Sequence, residues 1–155
     1  MWKLTVILMV IAVSLTYGFE KPATPDTDQA AIKAVLDRYI ASIEKEDLEL
    51  YAKNICHDTT MVNFGVFGPP IVGWAALKGV IAGQNESLSQ TKITPSDVSI
   101  HVSPSGQWAW ATSLWDFSAT MGEAPVQLAV RCTWVLEKQD GRWVIVHFHK
   151  SVAAG

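Results

Sequence analysis

The sequence predicts an α+β domain in which N-terminal helices pack on one face of a curved, mainly antiparallel sheet. The first half of the chain repeats apolar residues every three or four positions, which is typical of amphipathic helices. From about residue 96 the pattern changes to alternation over long runs separated by short turns, which is typical of strands. A length of 155 residues, 49% of them hydrophobic and 17% charged, suits a single domain with a substantial core.

The first 18 residues, "MWKLTVILMVIAVSLTYG", have the layout of a secretory signal peptide. An early lysine precedes an apolar run, and small or polar residues follow that run up to Gly18. The run is shorter than the roughly 20 residues needed to span a bilayer, which favours cleavage near Gly18 over an uncleaved anchor. We therefore expect an exported protein, periplasmic or secreted, with a linker at 19–27, a folded domain at 28–153 and no membrane contact after cleavage.

Charge, cysteine content and motifs limit the partners, disulfides and cofactors that we expect. Once Lys3 is removed from the 12 basic residues, the 15 acidic residues exceed the rest by four. This negative balance argues against a nucleic-acid partner. Cys56 and Cys132 can form one disulfide in an oxidising compartment or remain buried free thiols, and the sequence leaves both open. No catalytic-serine, zinc-protease, paired-cysteine or phosphate-loop motif is present, so we expect no cofactor.

Three helices are predicted in the first half of the domain. Apolar residues recur at helical spacing between 32 and 43, and Asp26 and Gln29 before them have the spacing of a capping box. The first helix is therefore predicted to end near residue 45. Asp47 has the character of a new N-cap, which predicts a short second helix. The segment "WAALKGVIAG", which begins at Trp74, predicts the third.

Strands are predicted between the second and third helices and throughout the second half. The short strand "TTMVNF" is followed by a Gly/Pro loop, "GVFGPP". After an alternating segment near residue 98 come three long runs, 107–121, 126–137 and 142–152, separated by "GEAP" and "QDG". Long adjacent strands joined by short turns are typical of an antiparallel meander.

The last run contains two histidines, His147 and His149, whose position depends on the register of the final hairpin. If Asp140 and Gly141 alone form the loop, Trp134 lies opposite His147 and Cys132 lies opposite His149. That arrangement would gather a cysteine and two histidines, which are zinc ligands, on one face of the sheet.

A three-residue loop of Gln139, Asp140 and Gly141 would instead place Thr133 opposite His147 and Arg131 opposite His149. This register collects Cys132, Trp134, Phe148 and their apolar neighbours on one face, ending at Lys150, which is what covering helices require. We therefore favour the longer loop, with the histidines on the outer face beside a permanent cation and no metal site.

Several segments resemble known proteins. The stretches "DGRWVIVHFHKS" and "IEKEDLELYAK" are similar to the association (hub) domain of calcium/calmodulin-dependent protein kinase II. Residues 28–152 as a whole resemble the nuclear transport factor 2-like superfamily, which includes SnoaL-like polyketide cyclases and ketosteroid isomerases. The segments "RYIASIEKED", "TTMVNF" and "VGWAALKGV" carry this resemblance together with the terminal hairpin.

The resemblance implies a cone-shaped half-barrel that encloses a pocket, with an outer sheet face that builds a homodimer. Tyr39 matches the oxyanion-donating tyrosine of ketosteroid isomerases. Asn63 stands where those enzymes have their catalytic aspartate, and no carboxyl is found where their second acid lies. Of the arginines that line the kinase hub pocket, one corresponds to Lys150, and others fall near Asp116 and Trp134, where the charge is reversed or lost.

From these considerations we expect a homodimer that binds a small, largely apolar molecule, which can carry a carboxylate, in the cone. Two alternatives are an isomerase or cyclase with Asp116 as base and Tyr39 as hydrogen-bond donor, and a hub-like oligomerisation module. Plain packing roles remain open for Tyr39, Asn63 and Trp74. The expected pocket residues are Tyr39, Asn63, Trp74, Asp116, Trp134 and Lys150. The expected dimer-interface residues are Arg131, Thr133, His147 and His149.

Overall fold

Three helices and six strands make up the part of the chain that the computed structural model describes, residues 25–153. The proposed signal peptide and most of the linker lie outside these residues. The helices are α1 (Pro25–Glu44), α2 (Leu48–Ala52) and α3 (Trp74–Ser87). The strands are β1 (Val62–Asn63), β2 (Ile71–Val72), β3 (Leu88–Val102), β4 (Trp108–Met121), β5 (Ala124–Gln139) and β6 (Arg142–Val152). The helices pack on a curved antiparallel sheet, which confirms the predicted fold class.

The helices form where the apolar spacing predicts them, with one difference at the start of α1. The buried face of α1 includes Ile32, Leu36 and Tyr39. Helix α1 begins at Pro25, inside the predicted linker, so Asp26 lies in its first turn and the predicted capping box is wrong. Proline suits a first helical turn because its missing N–H would have no partner there. The side-chain amide of Gln29 instead donates to the carbonyl oxygen of Ile100 at 3.4 Å.

The predicted N-cap of α2 is confirmed. The Asp47 carboxylate accepts a hydrogen bond from the backbone N–H of Leu50 at 2.8 Å. This satisfies one of the donors that a helix N-terminus leaves free. Tyr51, one turn further on, is completely buried against α1. The cap therefore stabilises the start of α2, whose Tyr51 contacts Tyr39 of α1.

The sheet is a four-stranded antiparallel meander in the order β3-β4-β5-β6, as the turn spacing predicts. Strand β3 begins at Leu88, directly after α3, and is longer than the alternation near residue 98 suggests. The strand predicted from "TTMVNF" shrinks to β1, which pairs with β2. Parallel bridges at Ile55 and Phe64 cover the free edge of β6, so that edge is not left open.

The β5–β6 hairpin differs from both predicted registers. Asp140 and Gly141 form a two-residue turn with positive φ angles of 49° and 75°, which is the geometry that favours glycine and aspartate in tight hairpins. A bulge then follows, because Leu136 pairs with Ile145 but Val135 pairs with His147. Val146 is the extra residue, and it reverses the alternation along β6.

The bulge explains why the predicted three-residue loop, although wrong, assigned Phe148 and Lys150 to the correct face of the sheet. Beyond it, Thr133 lies opposite His149, and Phe148 and Lys150 point into the core side with Trp134. In the part of β6 before the bulge, Trp143 and Ile145 are also buried. Strict alternation would have put them on the same outer face as His147 and His149. A single inserted residue thus gives β6 an inner face along its whole length, which alternation alone could not provide.

The core lies between α1 and the inner face of the sheet. Within residues 25–153, no helix is both long and apolar enough to cross a bilayer. Cys56 and Cys132 are free thiols in this structure, so the unbonded alternative is the one that it adopts.

Candidate functional site

A cavity of about 370 Å³ opens at one end of the cone. Helix α3 forms one wall, the inner faces of β4 and β5 form the opposite wall, and the loop after β1 forms the rim. The lining is almost entirely apolar, and Lys150 is the charged side chain among the described residues that line it. The apolar lining includes Ile43, Phe67, Leu77, Val80, Ile81, Trp115, Phe117, Leu128, Val130 and Phe148.

The Lys150 ammonium lies among three aromatic rings at the inner end of the cavity. Its Nζ is 5.1 Å from the ring centre of Tyr39, 4.9 Å from that of Trp115 and 5.0 Å from that of Phe148. Rings at this distance attract a cation through their electron-rich faces. The bulge at Val146 places Lys150 here, because without the reversed alternation its side chain would leave the inner face.

Lys150 has no carboxylate partner among the described residues, whose ion pairs join Lys33 to Asp37, Lys92 to Glu44 and Lys138 to Asp28. Burial therefore dominates and lowers the pKa of Lys150 to about 8, and Cys132 opposes this shift only weakly. The same burial raises the pKa of Cys132 to about 12, against the nearby Lys150 charge. At neutral pH the site thus holds a neutral thiol and a mostly protonated amine whose pKa is lower than that of an ordinary lysine.

Tyr39 lies beneath the cavity, in an aromatic cluster that fills the inner part of the cone. Its hydroxyl is 3.3 Å from that of Tyr51, and its ring is 6.3 Å from Trp134 in an edge-on contact. Burial, reinforced by Tyr51, raises the pKa of Tyr39 well above its usual value. The Trp134 indole opposes that rise but does not reach hydrogen-bond geometry with any group. Tyr39 and Trp134 therefore close the inner end of the cone rather than line its open part.

Asn63 and Trp74 are also placed outside the cavity lining. The Asn63 side-chain oxygen accepts a hydrogen bond from the Phe148 N–H at 2.8 Å, which fastens β1 to β6. Asn63 is completely buried, and its amide nitrogen has no hydrogen-bond partner among residues 25–153. Trp74, at the start of α3, stacks on His57 with ring centres 4.3 Å apart. Both residues hold elements together around the cavity.

The predicted position of Asp116 in the pocket is wrong. It is exposed on the outer face of β4, while its neighbour Trp115 points inward. The inner-face position that the sequence suggested would require the opposite alternation of the strand. Asp116 therefore cannot act as a base on a molecule held in the cavity, and its side chain does not meet Tyr39 or Lys150.

The four expected interface residues lie on or beside the outer face. His147 Nδ1 is 2.6 Å from the Val62 carbonyl oxygen, and Phe64 makes edge-on contacts with both His147 and His149. Arg131 donates to the carbonyl oxygen of Val152 at 2.7 Å. Thr133 is half-buried opposite His149. Within the described chain, no group of histidine, cysteine or acidic residues could hold a metal ion.

Sequence reasoning missed most of the cavity wall. The wall is built by the apolar face of α3 and by residues of β4 and β5 such as Phe117 and Leu128. Helical spacing within α3 and alternation within the strands were visible signals, but they predict a buried face without saying whether another side chain fills it. The same alternation in "WAWATSLWD" places Trp108 and Trp110 on the outer face, where both are exposed.

Comparisons with known proteins agree with this geometry. A nuclear transport factor 2-like protein from Salmonella enterica serovar Typhimurium is 23% identical and has a TM-score of 0.78, covering 85% of this chain and 95% of its own. A ketosteroid isomerase-like protein from Erwinia carotovora atroseptica is 21% identical with a TM-score of 0.69, covering 81% and 96%. A nuclear transport factor 2-like protein from Pseudomonas putida is 17% identical with a TM-score of 0.73, covering 86% and 92%.

At these identities the structural neighbours show the fold alone, since this fold carries many unrelated functions. No curated protein gave a significant match to the sequence. The family model described as SnoaL-like domain matches residues 32–155, which is most of the chain. With its three helices, curved meander and open-ended cavity, the chain belongs to the SnoaL-like domain family, within the nuclear transport factor 2-like fold.

Proposed function

We propose that the protein binds a small, largely apolar molecule in the cavity, with an anionic head such as a carboxylate placed at Lys150. The observation that carries this proposal is a cavity of about 370 Å³ with an apolar wall and, at its inner end, the Lys150 ammonium, which no described carboxylate pairs with. Cavities of roughly 300–1,000 Å³ with few convergent polar groups are typical of small-molecule sites. An apolar chain would replace water along the wall, and the carboxylate would supply the partner that Lys150 lacks.

Binding is favoured over acid–base catalysis by the composition of the wall. The described lining residues include no carboxylate and no histidine, which are the usual proton acceptors. Asp116 lies on the outer face, and the Tyr39 hydroxyl is engaged with Tyr51 beneath the cavity. The isomerase or cyclase alternative therefore has no base in place among these residues.

Decanoate titrated calorimetrically into the purified protein should bind more tightly than decanol, because only decanoate pairs with the ammonium. Lys150→Met should weaken decanoate binding roughly ten- to a hundredfold, since a charge-assisted hydrogen bond contributes about 1.5–3 kcal/mol. Lys150→Arg, which keeps the charge, should retain more of the affinity. Above pH 8 decanoate should bind more weakly to the wild-type protein, because the ammonium is lost as pH rises through its pKa of about 8.

Decanol serves as the matched control, since its binding depends on the wall and should be similar in the wild-type protein and in Lys150→Met. Equal affinities of the wild-type protein for decanoate and decanol would contradict the placement of the head group. Absence of binding by both ligands would contradict the proposal that the cavity takes up an apolar chain.

We also propose that the outer face of the sheet forms a homodimer. Trp108, Trp110 and Leu114 lie along this face of β4 and are 47%, 48% and 46% exposed, respectively. Large exposed apolar side chains in one row are typical of a protein interface. The expected residues Arg131 and Thr133 lie on the adjacent strand, within the same face.

Light scattering after gel filtration should give the mass of a dimer for the wild-type protein, and Trp110→Glu should give a monomer because a buried unpaired charge opposes association. Ala30→Glu is the matched control, since Ala30 is exposed on α1, which packs on the opposite face of the sheet. A wild-type monomer would contradict the proposal, and an assembly larger than a dimer would favour the hub-like alternative.

A further inference from the structure

An amine at the end of an apolar cavity, with no acidic neighbour among the described residues, has a second chemical capability. The other lysines that the structure describes are exposed or paired, as Lys33 is with Asp37 at 2.8 Å. Lys150 differs because its ammonium faces three aromatic rings and the cavity, and no carboxylate within residues 25–153 holds its proton. Lysines desolvated in apolar sites are the ones that act as nucleophiles toward carbonyl carbon.

We propose that Lys150 captures the carbonyl group of an apolar aldehyde or ketone that enters the cavity and holds it as an imine. This inference rests on the proposed function only in requiring that the cavity admit an apolar chain. It does not depend on a carboxylate head. The chemical class of ligand is a medium-chain or cyclic carbonyl compound whose hydrocarbon part contacts the walls formed by α3, β4 and β5.

The reaction is balanced without an oxidant or a cofactor. The neutral Lys150 nitrogen attacks the carbonyl carbon, a C–N bond forms, and the C=O π electrons move to oxygen. A proton passes from nitrogen to that oxygen and gives a carbinolamine. Loss of the hydroxyl group as water, with departure of the second nitrogen proton, leaves the C=N bond. Amine and carbonyl thus give imine and one water molecule, and hydrolysis reverses the process.

The surroundings of Lys150 supply the neutral amine that the first step needs. Burial lowers its pKa to about 8, so about half of the molecules carry a neutral amine at pH 8. The titratable groups facing it are Cys132 from β5 and Tyr39 from α1, and both are uncharged at this pH because burial raises each pKa. Helix α3 contributes no charged group to the lining. The apolar wall also limits the water that would hydrolyse the imine.

The test is reductive trapping of the purified protein with decanal and sodium cyanoborohydride at pH 8, followed by peptide mapping. Hydride from the reagent adds to the imine carbon and leaves a stable secondary amine on the modified lysine. At low aldehyde concentration, Lys150 should be modified at least about tenfold faster than exposed lysines, because its lowered pKa leaves a larger neutral fraction at pH 8 than a lysine in a model peptide has. The Lys150 rate should level off above pH 8, where its amine becomes mostly neutral.

Two variants separate this inference from the proposed function. Lys150→Arg removes the nucleophile and keeps the positive charge, so adduct formation at this site should vanish while decanoate affinity falls less than in Lys150→Met. Lys33→Arg, at an exposed lysine of α1, is the matched control and should leave the cavity adduct unchanged. Equal modification of Lys150 and the exposed lysines in the wild-type protein would overturn the inference, and this comparison requires no variant to fold. Decanoate binding without a selective decanal adduct would overturn the inference and leave the proposed function standing.

Discussion

Replacement of Trp134 by alanine should lower the free energy of unfolding by about 4 kcal/mol, the middle of the range for deleting a large buried aromatic side chain. Trp134 is 1% exposed, and its ring lies 5.5 Å from that of Trp115 and 6.3 Å from that of Tyr39. These rings close the inner end of the cone, and neighbours fixed by helix and sheet cannot move in to fill the space. Urea unfolding followed by circular dichroism measures the change.

Trp110→Ala is the matched control on the neighbouring strand. Trp110 is 48% exposed and stacks on His101, so its removal should cost less than about 1 kcal/mol. Both variants should be measured at protein concentrations where the unfolding midpoint no longer depends on concentration, because dimer formation would add stability at the outer face. A loss below about 2 kcal/mol for Trp134→Ala would show that the cluster collapses around the gap, contrary to the packing argument.

Asp28→Ala should destabilise the fold by about 3 kcal/mol at pH 7, the lower end of the range for breaking a buried ion pair. The Asp28 carboxylate accepts hydrogen bonds from Lys138 Nζ at 2.6 Å and from the Trp143 indole at 3.0 Å. Its side chain is 8% exposed and that of Lys138 is 17% exposed, so water screens the pair poorly. The bonds join the start of α1 to both strands of the terminal hairpin.

The contribution of Asp28 should depend on pH in a defined direction. Burial alone would raise the pKa of this carboxyl, but the hydrogen bonds from Lys138 and Trp143, with the Lys138 charge, outweigh burial and lower it. A group whose pKa is lower in the folded state stabilises the fold above its unfolded pKa, and this stability is lost as pH falls through the folded value. The difference between wild type and Asp28→Ala should therefore be largest above about pH 4 and shrink at lower pH.

Asp37→Ala on the same helix provides the control for that experiment. Asp37 pairs with Lys33 one turn away, and both side chains are more than half exposed. Exposed pairs of this kind contribute about 0.3–0.5 kcal/mol, so Asp37→Ala should have little effect on the free energy of unfolding. If Asp28→Ala and Asp37→Ala destabilise the protein equally, the Asp28 contacts do not act as a buried network.

Much of the architecture follows from local patterns. The apolar face of α1, the Asp47 cap of α2 and the three long alternating runs are each encoded within a few residues, so they can be predicted from the sequence. The polarity of the two sheet faces is predictable for the same reason. The prediction that the histidines lie outward was right in outcome, because the polar and apolar residues of the last strand separate clearly.

The composition of the site could not be predicted in this way. Helical spacing shows that Tyr39 points inward, and alternation shows the same for Trp134 and Phe117. Neither pattern shows which of them fills the cone and which borders open space. That difference depends on how α3 packs over the sheet, because the open space lies between this helix and the strands. Asp28 illustrates the same limit, since its partners lie 110 and 115 residues away along the chain.

The sequence by itself determined the fold class, the order of the elements and the inward direction of the apolar residues, because these depend on contacts within one helix or between adjacent strands. Only the tertiary structure decided the register of the last hairpin, the outward position of Asp116 and the open space beside Lys150. For the hairpin the reason is the bulge at Val146, which changes the face of every later residue of β6. With that bulge Lys150, which has no carboxylate partner among the described residues, lies at the inner end of an apolar cavity.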